Sequence, residues 1–490
     1  MNKYILIAIT VLSLSSCKKW LDVKPVSQVS EDEMFKTPDG FQDALNGVYA
    51  SCTNQTLYGY ELTCGFPEVL AQNYYIIPDD YLHYKQTANY NYKDPYFIAK
   101  KDTVWAGLYH GIANCNLILK NVETNKDVLT GDMYALIKGE ALAMRGYLHF
   151  DLLRLFAPSF KSNPNAKAIP YVSDFSNKVT GLSTVTEVLD NVATDLSQAK
   201  ELIRPVDPIL SPSYVPSYAT DSNGHPEEQQ NPNLFLQNRR HRLNYYAICG
   251  ELARVNLYRE KMSDALNNAL EVINSKKFPW IVNSDFNETD TKKKDRIMYK
   301  ELLFAWYVPS MKDTLAVKFN AGVNSLVIDV DAGDALYEKS TAGARDFRPT
   351  NWLLPSGATF SPKLYELQKY KRDPETNLYD LVLPAMRLSE MYYIAAECSY
   401  DANPAQSVEY LNTVRRNRGG MLDVAVTSKD QLIQELIKEE RKECYGEGQI
   451  FYMYKRLNRN FPNLTGGFIT ASDKLFVMPL PNDEIEFGNR

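Results

Sequence analysis

The segment from residue 132 to residue 158 leaves the chain few ways to fold. Its sequence, DMYALIKGEALAMRGYLHFDLLRLFAP, places apolar residues on almost every face of a helix and ends at a proline. Such a helix has to be covered on all sides, which predicts a deep helical core. Residues 105–119 repeat apolar side chains at i, i+3, i+4 and i+7, and they predict an antiparallel partner helix joined by a short polar link.

The same pairing pattern recurs toward the C terminus. Helical spacing of apolar residues is found in residues 243–258, 263–273, 388–399, 405–416 and 430–443, with Ser263 as an N-cap. Stacked helix pairs are typical of tetratricopeptide-like solenoids, although long insertions break the repeat here. We therefore predict a mostly α fold, in which a tetratricopeptide-like scaffold of helix pairs carries an irregular, loop-rich ligand-binding face and a few short strands.

Three stretches interrupt the helical rhythm, near residues 59–101, 205–240 and 278–384. The first is rich in tyrosine and predicts irregular loop with short helical pieces. The second contains six prolines, which predict a long surface loop. In the third, the runs ELLFAWYV and NSLVIDV favour short strands. Long irregular insertions on a rigid scaffold concentrate binding residues, so we expect ligand contacts in these stretches.

The N terminus predicts export and a lipid anchor. Lys3 precedes an apolar run of about 13 residues, which is too short to span a bilayer and is typical of a secretory signal. The run ends in two serines and Cys17, which resemble a bacterial lipobox, where the cysteine thiol receives diacylglycerol. We predict that residues 1–16 are a lipoprotein signal peptide, that Cys17 is lipidated, and that residues 17–490 form one large domain held at a membrane surface. An ordinary signal peptide cut elsewhere is the alternative.

The composition excludes several functional classes. With 54 Lys and Arg against 60 Asp and Glu, a net charge of −6 and no long basic tract, the chain lacks the electrostatic pattern of a nucleic-acid-binding protein. Five histidines without an H-E-x-x-H motif or clustering with cysteines indicate no zinc site. Asp329, Asp331 and Asp334 lack the EF-hand order, because Gly333 occupies the fifth position, so a structural or capping role is expected. We predict neither a metal nor a cofactor.

Six cysteines follow Cys17, and none belongs to a C-x-x-C motif. Outside the cytoplasm, Cys52 and Cys64 could form a disulfide. The other four lie in apolar helical patterns, which predict small buried hydrophobic side chains: Cys115, Cys249, Cys398 and Cys444.

Sequence blocks in a fixed order carry a resemblance that covers nearly the whole chain. The early blocks are WLDVKP, FQDALNGVYA, WAGLYHGIANCNLIL and GEALAMRGYLHFDLLRLFA. The later ones are MRLSEMYYIAAE, LNTVRRNRGG, KEERKECYGEGQIFYMYKR and the closing MPLPNDEI. Together they resemble the SusD/RagB lipoproteins of Bacteroidota outer membranes.

The resemblance implies a cell-surface protein that captures a nutrient, most often a glycan. It implies that the protein delivers this nutrient to a partner SusC-like TonB-dependent transporter, and that the protein closes over the transporter like a lid. It also implies an outer-membrane location with the lipid-anchored chain on the extracellular side, and no catalytic activity. Three alternatives stay open: a surface glycoside hydrolase, a structural lid whose transporter alone selects the ligand, and a protein that binds peptides.

The tyrosine-rich residues 74–96 are the main candidate for a binding surface. Aromatic rings stack on the apolar faces of sugar rings, and the interleaved Asp and Asn side chains can hydrogen-bond sugar hydroxyls, although tyrosines also fill gaps in ordinary cores. Two tryptophans of the third irregular stretch are further candidates. Trp352 is favoured by its polar neighbour Asn351, whereas Trp306 fits a core position equally well. The predicted substrate-binding residues are Tyr81, Tyr84, Tyr90, Tyr92, Trp306 and Trp352.

Several carboxylates lie next to cations in the predicted helices. Their helical placement favours ion pairs between helices over catalytic pairs, because a glycosidase needs two carboxylates at a defined separation across a cleft. The groups concerned are Glu140 with Arg145, Arg387 with Glu390 and Glu397, and Arg441 with Glu443 and Glu447.

Overall fold

The computed structural model describes residues 31–218, 226–319, 325–357, 362–373, 377–463 and 466–488. The predicted signal peptide, residues 1–16, and the predicted lipidation site Cys17 lie outside the described residues. Within the described ranges, no helix is both long enough and apolar enough to cross a bilayer.

Helices form most of the structure, as the sequence predicts. In chain order they are α1 Glu31–Met34, α2 Pro38–Cys52, α3 Phe66–Leu70, α4 Lys85–Ala88, α5 Pro95–Thr124, α6 Gly131–Phe156, α7 Val185–Ile203, α8 Pro226–Gln229, α9 Tyr245–Tyr258, α10 Met262–Ser275, α11 Asn283–Phe286, α12 Lys312–Leu315, α13 Val330–Leu336, α14 Arg348–Trp352, α15 Leu388–Ser399, α16 Pro404–Arg416, α17 Lys429–Glu443, α18 Ile450–Leu457, α19 Asp473–Phe476 and α20 Asn482–Phe487.

The strands are short and form small antiparallel sheets. They are β1 Lys167–Pro170, β2 Leu182–Thr184, β3 Leu302–Tyr307, β4 Val327–Asp329, β5 Leu353–Pro355, β6 Leu364–Leu367, β7 Val382–Arg387, β8 Phe461–Pro462 and β9 Phe468–Ile469. β1 pairs with β2, β3 with β7 and β8 with β9, while β6 lies between β4 and β5. In the β3–β7 pair, Tyr307 stands opposite Val382. The strands predicted in ELLFAWYV and NSLVIDV are therefore confirmed.

The helix α6 is central to the scaffold, and most of its side chains are buried. It packs against both α5 and α7. Gly139 allows α7 to come close, because a Cβ at this position would stand 2.2 Å from Cγ2 of Ile203. The sequence-based predictions did not include α7, although Thr184 and Glu187 form a capping box at its start.

The remaining helix pairs continue the stack. α9 packs against α10, α10 against α15, and α15 against α16, which confirms the pairs predicted from apolar spacing. The core cluster of buried hydrophobic residues extends from Phe35 to Met478. α10 begins at Met262, after Lys261, whose side chain makes no capping hydrogen bond, so the predicted N-cap at Ser263 is wrong.

The proline-rich stretch is not the exposed loop that the sequence predicts. Tyr214, Arg239 and Arg240 are almost completely buried. The Arg240 guanidinium binds Glu228 in the same stretch (2.6 Å), and the Arg239 guanidinium binds Glu140 on α6 (2.7 Å). Proline prevents a long helix here, but it does not keep side chains at the surface when buried acids pair with their charges.

Ion pairs between elements form as predicted, but among the described residues none of the named groups pairs within its predicted set. Glu140 binds Arg239 and Arg242, whereas Arg145 binds Asp195 on α7 (2.7 Å). Glu140 and Arg145 are five positions apart on α6, a spacing that does not bring side chains together on one helix. Arg387 pairs with Glu447, Glu390 with Arg254 and Glu397 with Arg456.

The disulfide considered between Cys52 and Cys64 is not formed, because both residues are buried free thiols. The Cys64 thiol donates a hydrogen bond to the carbonyl oxygen of Tyr60 (3.5 Å), within its own turn. Burial raises the pKa of the Cys52 thiol to about 12, so the reactive thiolate is suppressed. Three of the other four cysteines are buried as predicted, and Cys398 is partly exposed.

Candidate ligand-binding cleft

A cleft of about 1260 Å³ lies where the tyrosine-rich stretch meets α13 and the C-terminal half of α17. We call it the Tyr90 cleft. Its lining includes Asn73, Tyr90, Asp331, Lys438 and Arg441, so it brings together residues far apart in the chain. Its size lies above the usual range of small-molecule pockets, which suits an extended ligand.

Hydrogen bonds hold the first wall, formed by residues 72–90. The Tyr90 hydroxyl donates to the carbonyl oxygen of Leu70 (2.7 Å) and accepts from Nε2 of Gln72 (3.1 Å). The same Gln72 nitrogen donates to the carbonyl oxygen of Ala88 (2.9 Å). Gln72 and Tyr90 both have positive φ values, 61° and 56°, so this network maintains a backbone conformation that side chains other than glycine rarely adopt.

The second wall is the end of β4 and the start of α13. The amide of Tyr75 donates to the carbonyl oxygen of Val327 (2.8 Å), which joins the first wall to the second. Asp329 caps α13 by accepting a hydrogen bond from the amide of Ala332 (2.9 Å). The capping role expected for Asp329 is therefore confirmed, and the exposed Asp331 lies on the cleft lining.

The third wall is α17, which carries Arg441. The predicted pairs of Arg441 with Glu443 and Glu447 are wrong, because Glu443 binds Arg418 (2.6 Å) and Glu447 binds Arg387. Among the described residues, the Arg441 side chain makes no ion pair and no hydrogen bond, and its Nε is buried without a partner. The cleft therefore contains a cation whose charge no neighbouring carboxylate neutralises.

Glu68 on α3 anchors the turn that follows α17. Its carboxylate accepts hydrogen bonds from Nδ2 of Asn73 (2.7 Å) and from the amides of Gly446 (3.0 Å) and Gly448 (2.7 Å). Burial raises the pKa of Glu68 to about 7, and these donors oppose the shift by favouring the charged form. Both glycines have φ of +76°, which explains why this turn needs glycine.

Two polar atoms at the cleft have no partner in the described structure. Oδ1 of Asn73 is a buried acceptor and Nε of Arg441 is a buried donor. Buried polar atoms are nearly always hydrogen-bonded, because leaving one unsatisfied costs about 1–3 kcal/mol. A ligand that offers both donors and acceptors, or water in its place, would satisfy them.

Of the predicted binding residues, Tyr90 alone lines this cleft among the residues described. Tyr81 is 56% exposed but does not belong to the lining. Tyr92 is half-buried, because its ring stacks on Phe97 at 4.7 Å and its hydroxyl donates to the carbonyl oxygen of Leu475. The binding roles of Tyr81 and Tyr92 stay predictions.

Three of the predicted binding residues are core residues instead. Tyr84 is buried, and its hydroxyl donates to the Glu61 carboxylate (2.9 Å). Trp352 is fully buried, and its indole nitrogen donates to the carbonyl oxygen of Arg296 (2.7 Å). The predicted ligand contacts of Tyr84 and Trp352 are therefore wrong, because a covered ring has no face to offer. Trp306 is also buried, in the aromatic core, although it contributes to the base of a different cleft.

The sequence analysis did not identify Asn73, Lys438 and Arg441 as site residues. Asn73 lies just before the tyrosine-rich residues, so its position was a usable signal. Lys438 and Arg441 lie on a correctly predicted helix, but no feature of that helix shows which of its cations lack partners. Lys438 itself lies near Glu338 (3.7 Å) and binds Glu435 (2.9 Å), which leaves Arg441 as the available charge.

Two family models match the chain. One, described as "Starch-binding associating with outer membrane", matches residues 19–221. The other, the SusD family, matches residues 281–466. No curated protein matches the sequence.

Solved structures share the fold. A SusD-like carbohydrate-binding protein from Bacteroides vulgatus matches with a TM-score of 0.71 at 18% identity, covering 92% of this chain and 96% of its own. A SusD superfamily protein from Bacteroides thetaiotaomicron has a TM-score of 0.71 at 22% identity and covers 92% and 98%. A second Bacteroides vulgatus protein, described as sugar-binding, has a TM-score of 0.69 at 22% identity and covers 92% and 96%. The matched sequence models and the shared fold lead to one conclusion: the chain belongs to the SusD/RagB family.

Proposed function

We propose that this protein is a non-catalytic, cell-surface nutrient-binding lipoprotein that captures a carbohydrate in the Tyr90 cleft. It then delivers the ligand to a SusC-like TonB-dependent transporter in the outer membrane. The observation that carries the proposal is the cleft itself, which brings the unpaired Arg441, the unsatisfied Oδ1 of Asn73 and a tyrosine together with apolar lining residues such as Ile76 and Ile328. Such a mixture of apolar surface and a few convergent polar groups is typical of a ligand site.

The carboxylates of the cleft support binding over hydrolysis. Asp329 is engaged as a helix cap, and Glu338 binds Lys442 (2.6 Å). Asp331 is the one described acid of the lining that makes neither a capping hydrogen bond nor an ion pair. A glycosidase needs two free carboxylates across the scissile bond, so the arrangement favours a role in binding.

The location follows from the predicted anchor and the family. One of the two matching family models is described as associating with the outer membrane, and lipidation of Cys17 would hold the chain there without a membrane-spanning helix. With the anchor on the outer face, the cleft meets external nutrients before the transporter does. This arrangement places capture ahead of transport.

Isothermal titration of the mature full-length protein tests the proposal. The protein is kept in dodecyldimethylamine oxide, because sugar-based detergents would compete with glycans, and it is titrated with a panel of oligosaccharides and peptides. We expect saturable binding of one glycan class. Asn89, which is exposed and lines the cleft, offers an amide to the ligand. Asn89→Ala and Arg441→Ala should each weaken binding about tenfold, which corresponds to losing roughly 1.4 kcal/mol of binding free energy.

Asn91→Ala is the matched control for Asn89→Ala, because Asn91 is also exposed, lies two residues away and is not part of the lining. Its affinity should equal that of the wild type. Cleavage of the bound glycan during the titration would indicate the hydrolase instead. Binding of peptides alone would indicate the peptide receptor, and the absence of any affinity without the transporter would indicate a structural lid.

A further inference from the structure

A second cleft, of about 1210 Å³, lies between α2, residues 232–242 and the end of β3. We call it the Tyr307 cleft. It has no lining residue in common with the Tyr90 cleft, and the proposed function does not use it. Its chemistry therefore needs a separate explanation.

One face of α2 supplies a polar wall. The opposite face of this helix is buried in the core through Phe41, Leu45 and Val48. The polar residues that line the cleft recur at helical spacing and carry carboxylate and amide groups, with the Thr53 hydroxyl just beyond the end of the helix: Asp39, Gln42, Asp43 and Asn46. A row of short hydrogen-bonding side chains along a helix offers donors and acceptors at regular intervals to an extended ligand.

An aromatic platform faces this wall. Tyr307 is 43% exposed, and its ring stacks on His241 in a nearly parallel arrangement, with centroids 5.4 Å apart and an interplanar angle of 5°. His241 covers one face of the tyrosine ring and leaves the other available. Trp306 forms part of the base. A flat aromatic face beside hydrogen-bonding groups suits a ring that is apolar on its faces and polar at its edge.

Arg242 is fixed with one nitrogen still unused. Its Nε donates to Glu140 (2.9 Å) and its Nη1 donates to Asn46 (2.7 Å), while the guanidinium lies over the ring of Phe235 at 4.1 Å. Nη2 is buried and has no partner in the described structure. The orientation is thus set by protein contacts, and a donor remains for a ligand or water.

Asn238 provides an unused acceptor in the same cleft. Its Oδ1 is buried without a partner among the described residues. Its backbone adopts a φ of 47°, a strained conformation that concentrates at binding sites. The cleft therefore combines an unsatisfied donor and an unsatisfied acceptor with the aromatic platform.

The charge of the cleft selects against anions. Asp39, Asp43 and Asp380 line it, and the charges of Arg242 and its neighbour Arg239 are already balanced by Glu140 and Asp207. Burial lowers the pKa of His241 to about 4, so this imidazole adds no positive charge near neutral pH. An anionic ligand would meet net repulsion, whereas a neutral ligand can donate hydroxyl groups to the carboxylates.

We propose that the Tyr307 cleft is a second binding site for a neutral oligosaccharide, independent of the Tyr90 cleft. One sugar ring stacks on Tyr307, and neighbouring hydroxyls bond to the polar face of α2, to Nη2 of Arg242 and to Oδ1 of Asn238. A protein with two such sites holds a long glycan chain at two points, which raises its effective affinity.

Hydrogen–deuterium exchange of the mature full-length protein, in the same non-glycosidic detergent, locates binding. The probes are neutral oligomers of α-1,4-glucan, β-1,4-glucan, β-1,4-xylan and β-1,4-mannan, with oligogalacturonate as the anionic comparison. We expect a neutral oligomer to slow exchange in residues 231–242 and 304–310. Tyr307→Ala and Asp380→Ala should each raise the ligand concentration needed for half-maximal protection at least fivefold.

Tyr96→Ala is the matched control, because Tyr96 is an exposed tyrosine that also stacks on a histidine, His83, but lines neither cleft. Arg441→Ala should also leave protection of the Tyr307 cleft unchanged, which separates the outcome from that of the proposed function. The proposal is overturned if no neutral oligomer protects these residues, if Tyr307→Ala has no more effect than Tyr96→Ala, or if oligogalacturonate binds there more tightly.

Discussion

Two backbone contacts hold His149 in its neutral form. Its Nδ1 lies 2.9 Å from the carbonyl oxygen of Arg145, which can only accept, and its Nε2 lies 3.0 Å from the amide of Val172, which can only donate. Nδ1 therefore carries the proton and Nε2 is the acceptor. A second proton on Nε2 would point at the amide hydrogen, and burial reinforces this by lowering the pKa of His149 to about 3.

The first prediction is a loss of stability in acid caused by His149. Folding lowers the pKa of His149, so between pH 6.5 and about 3 this histidine is protonated in the unfolded chain and neutral in the folded chain. His149 therefore costs no unfolding free energy above pH 6.5. Between pH 6.5 and about 3 it lowers the free energy of unfolding by about 1.4 kcal/mol for each unit of pH. Denaturant unfolding across this range should show a shallower pH dependence for His149→Gln than for the wild type.

His110→Gln is the control for this prediction. His110 is exposed on α5, so it is solvated in the folded and the unfolded chain alike. Its substitution should leave the pH dependence of the wild type unchanged. Identical slopes for His149→Gln and the wild type would contradict the prediction.

Elements are joined by buried ion pairs between the end of α16, the start of β3 and α17. Arg418 donates to Glu301 (2.6 Å) and to Glu443 (2.6 Å), and all three side chains are fully buried. Arg348 at α14 shares Glu443 (2.8 Å) and also binds Glu439 (3.0 Å). Each buried charge has a partner, which is the condition under which such a network is tolerated.

The second prediction concerns the cost of breaking this network. Arg418→Met leaves Glu301 with no cation in direct contact, so the free energy of unfolding should fall by about 3–5 kcal/mol. Thermal and denaturant unfolding measure the effect. Arg416→Met, two residues earlier, should cost less than about 1 kcal/mol, because Arg416 and its partners Glu409 and Asp423 are exposed. Equal losses of unfolding free energy in the two variants would contradict the prediction.

At the scale of the whole molecule, one large hydrophobic core, with a small separate cluster of Ile77, Val327 and Leu364, supports two clefts. The Tyr90 cleft joins residues 72–90 to α13 and α17, and the Tyr307 cleft joins α2 to residues 232–242 and β3. Each is assembled from segments that are far apart in the chain. The helical stack positions these segments, because the irregular stretches pack against it through buried side chains.

The third prediction concerns attachment of the whole protein to the membrane. Cys17→Ala removes the predicted acylation site, so the protein should move from the envelope fraction to the soluble fraction on cell fractionation. Each buried methylene of an acyl chain contributes about 0.8 kcal/mol to membrane binding, which is why its loss should be decisive. Cys398→Ala, in a partly exposed cysteine of α15, is the control and should stay in the envelope. Retention of Cys17→Ala in the envelope would show that another feature holds the protein there.

The amino-acid sequence by itself determined the helical scaffold and the family. The helices α5, α6, α9, α15 and α16 follow from apolar spacing, and the SusD/RagB membership follows from sequence blocks of which all but the last lie within the residues that the family models match. Periodicity and capping involve residues a few positions apart, so they can be read along the chain. The missed helix α7 also carried such a local signal in its capping box.

Only the tertiary structure decided which side chains a ligand can reach. Tyr84 and Tyr90 belong to the same stretch, yet Tyr84 is buried against Glu61 and Tyr90 lines a cleft. Arg441 and the buried Lys442 are neighbours on α17, yet only Arg441 lacks a partner among the described residues. Burial and charge pairing depend on contacts between distant residues, such as Lys442 and Glu338, which are 104 positions apart, whereas periodicity depends on neighbours. The local amino-acid sequence therefore specifies the helical scaffold, and the tertiary contacts decide which side chains form the binding site.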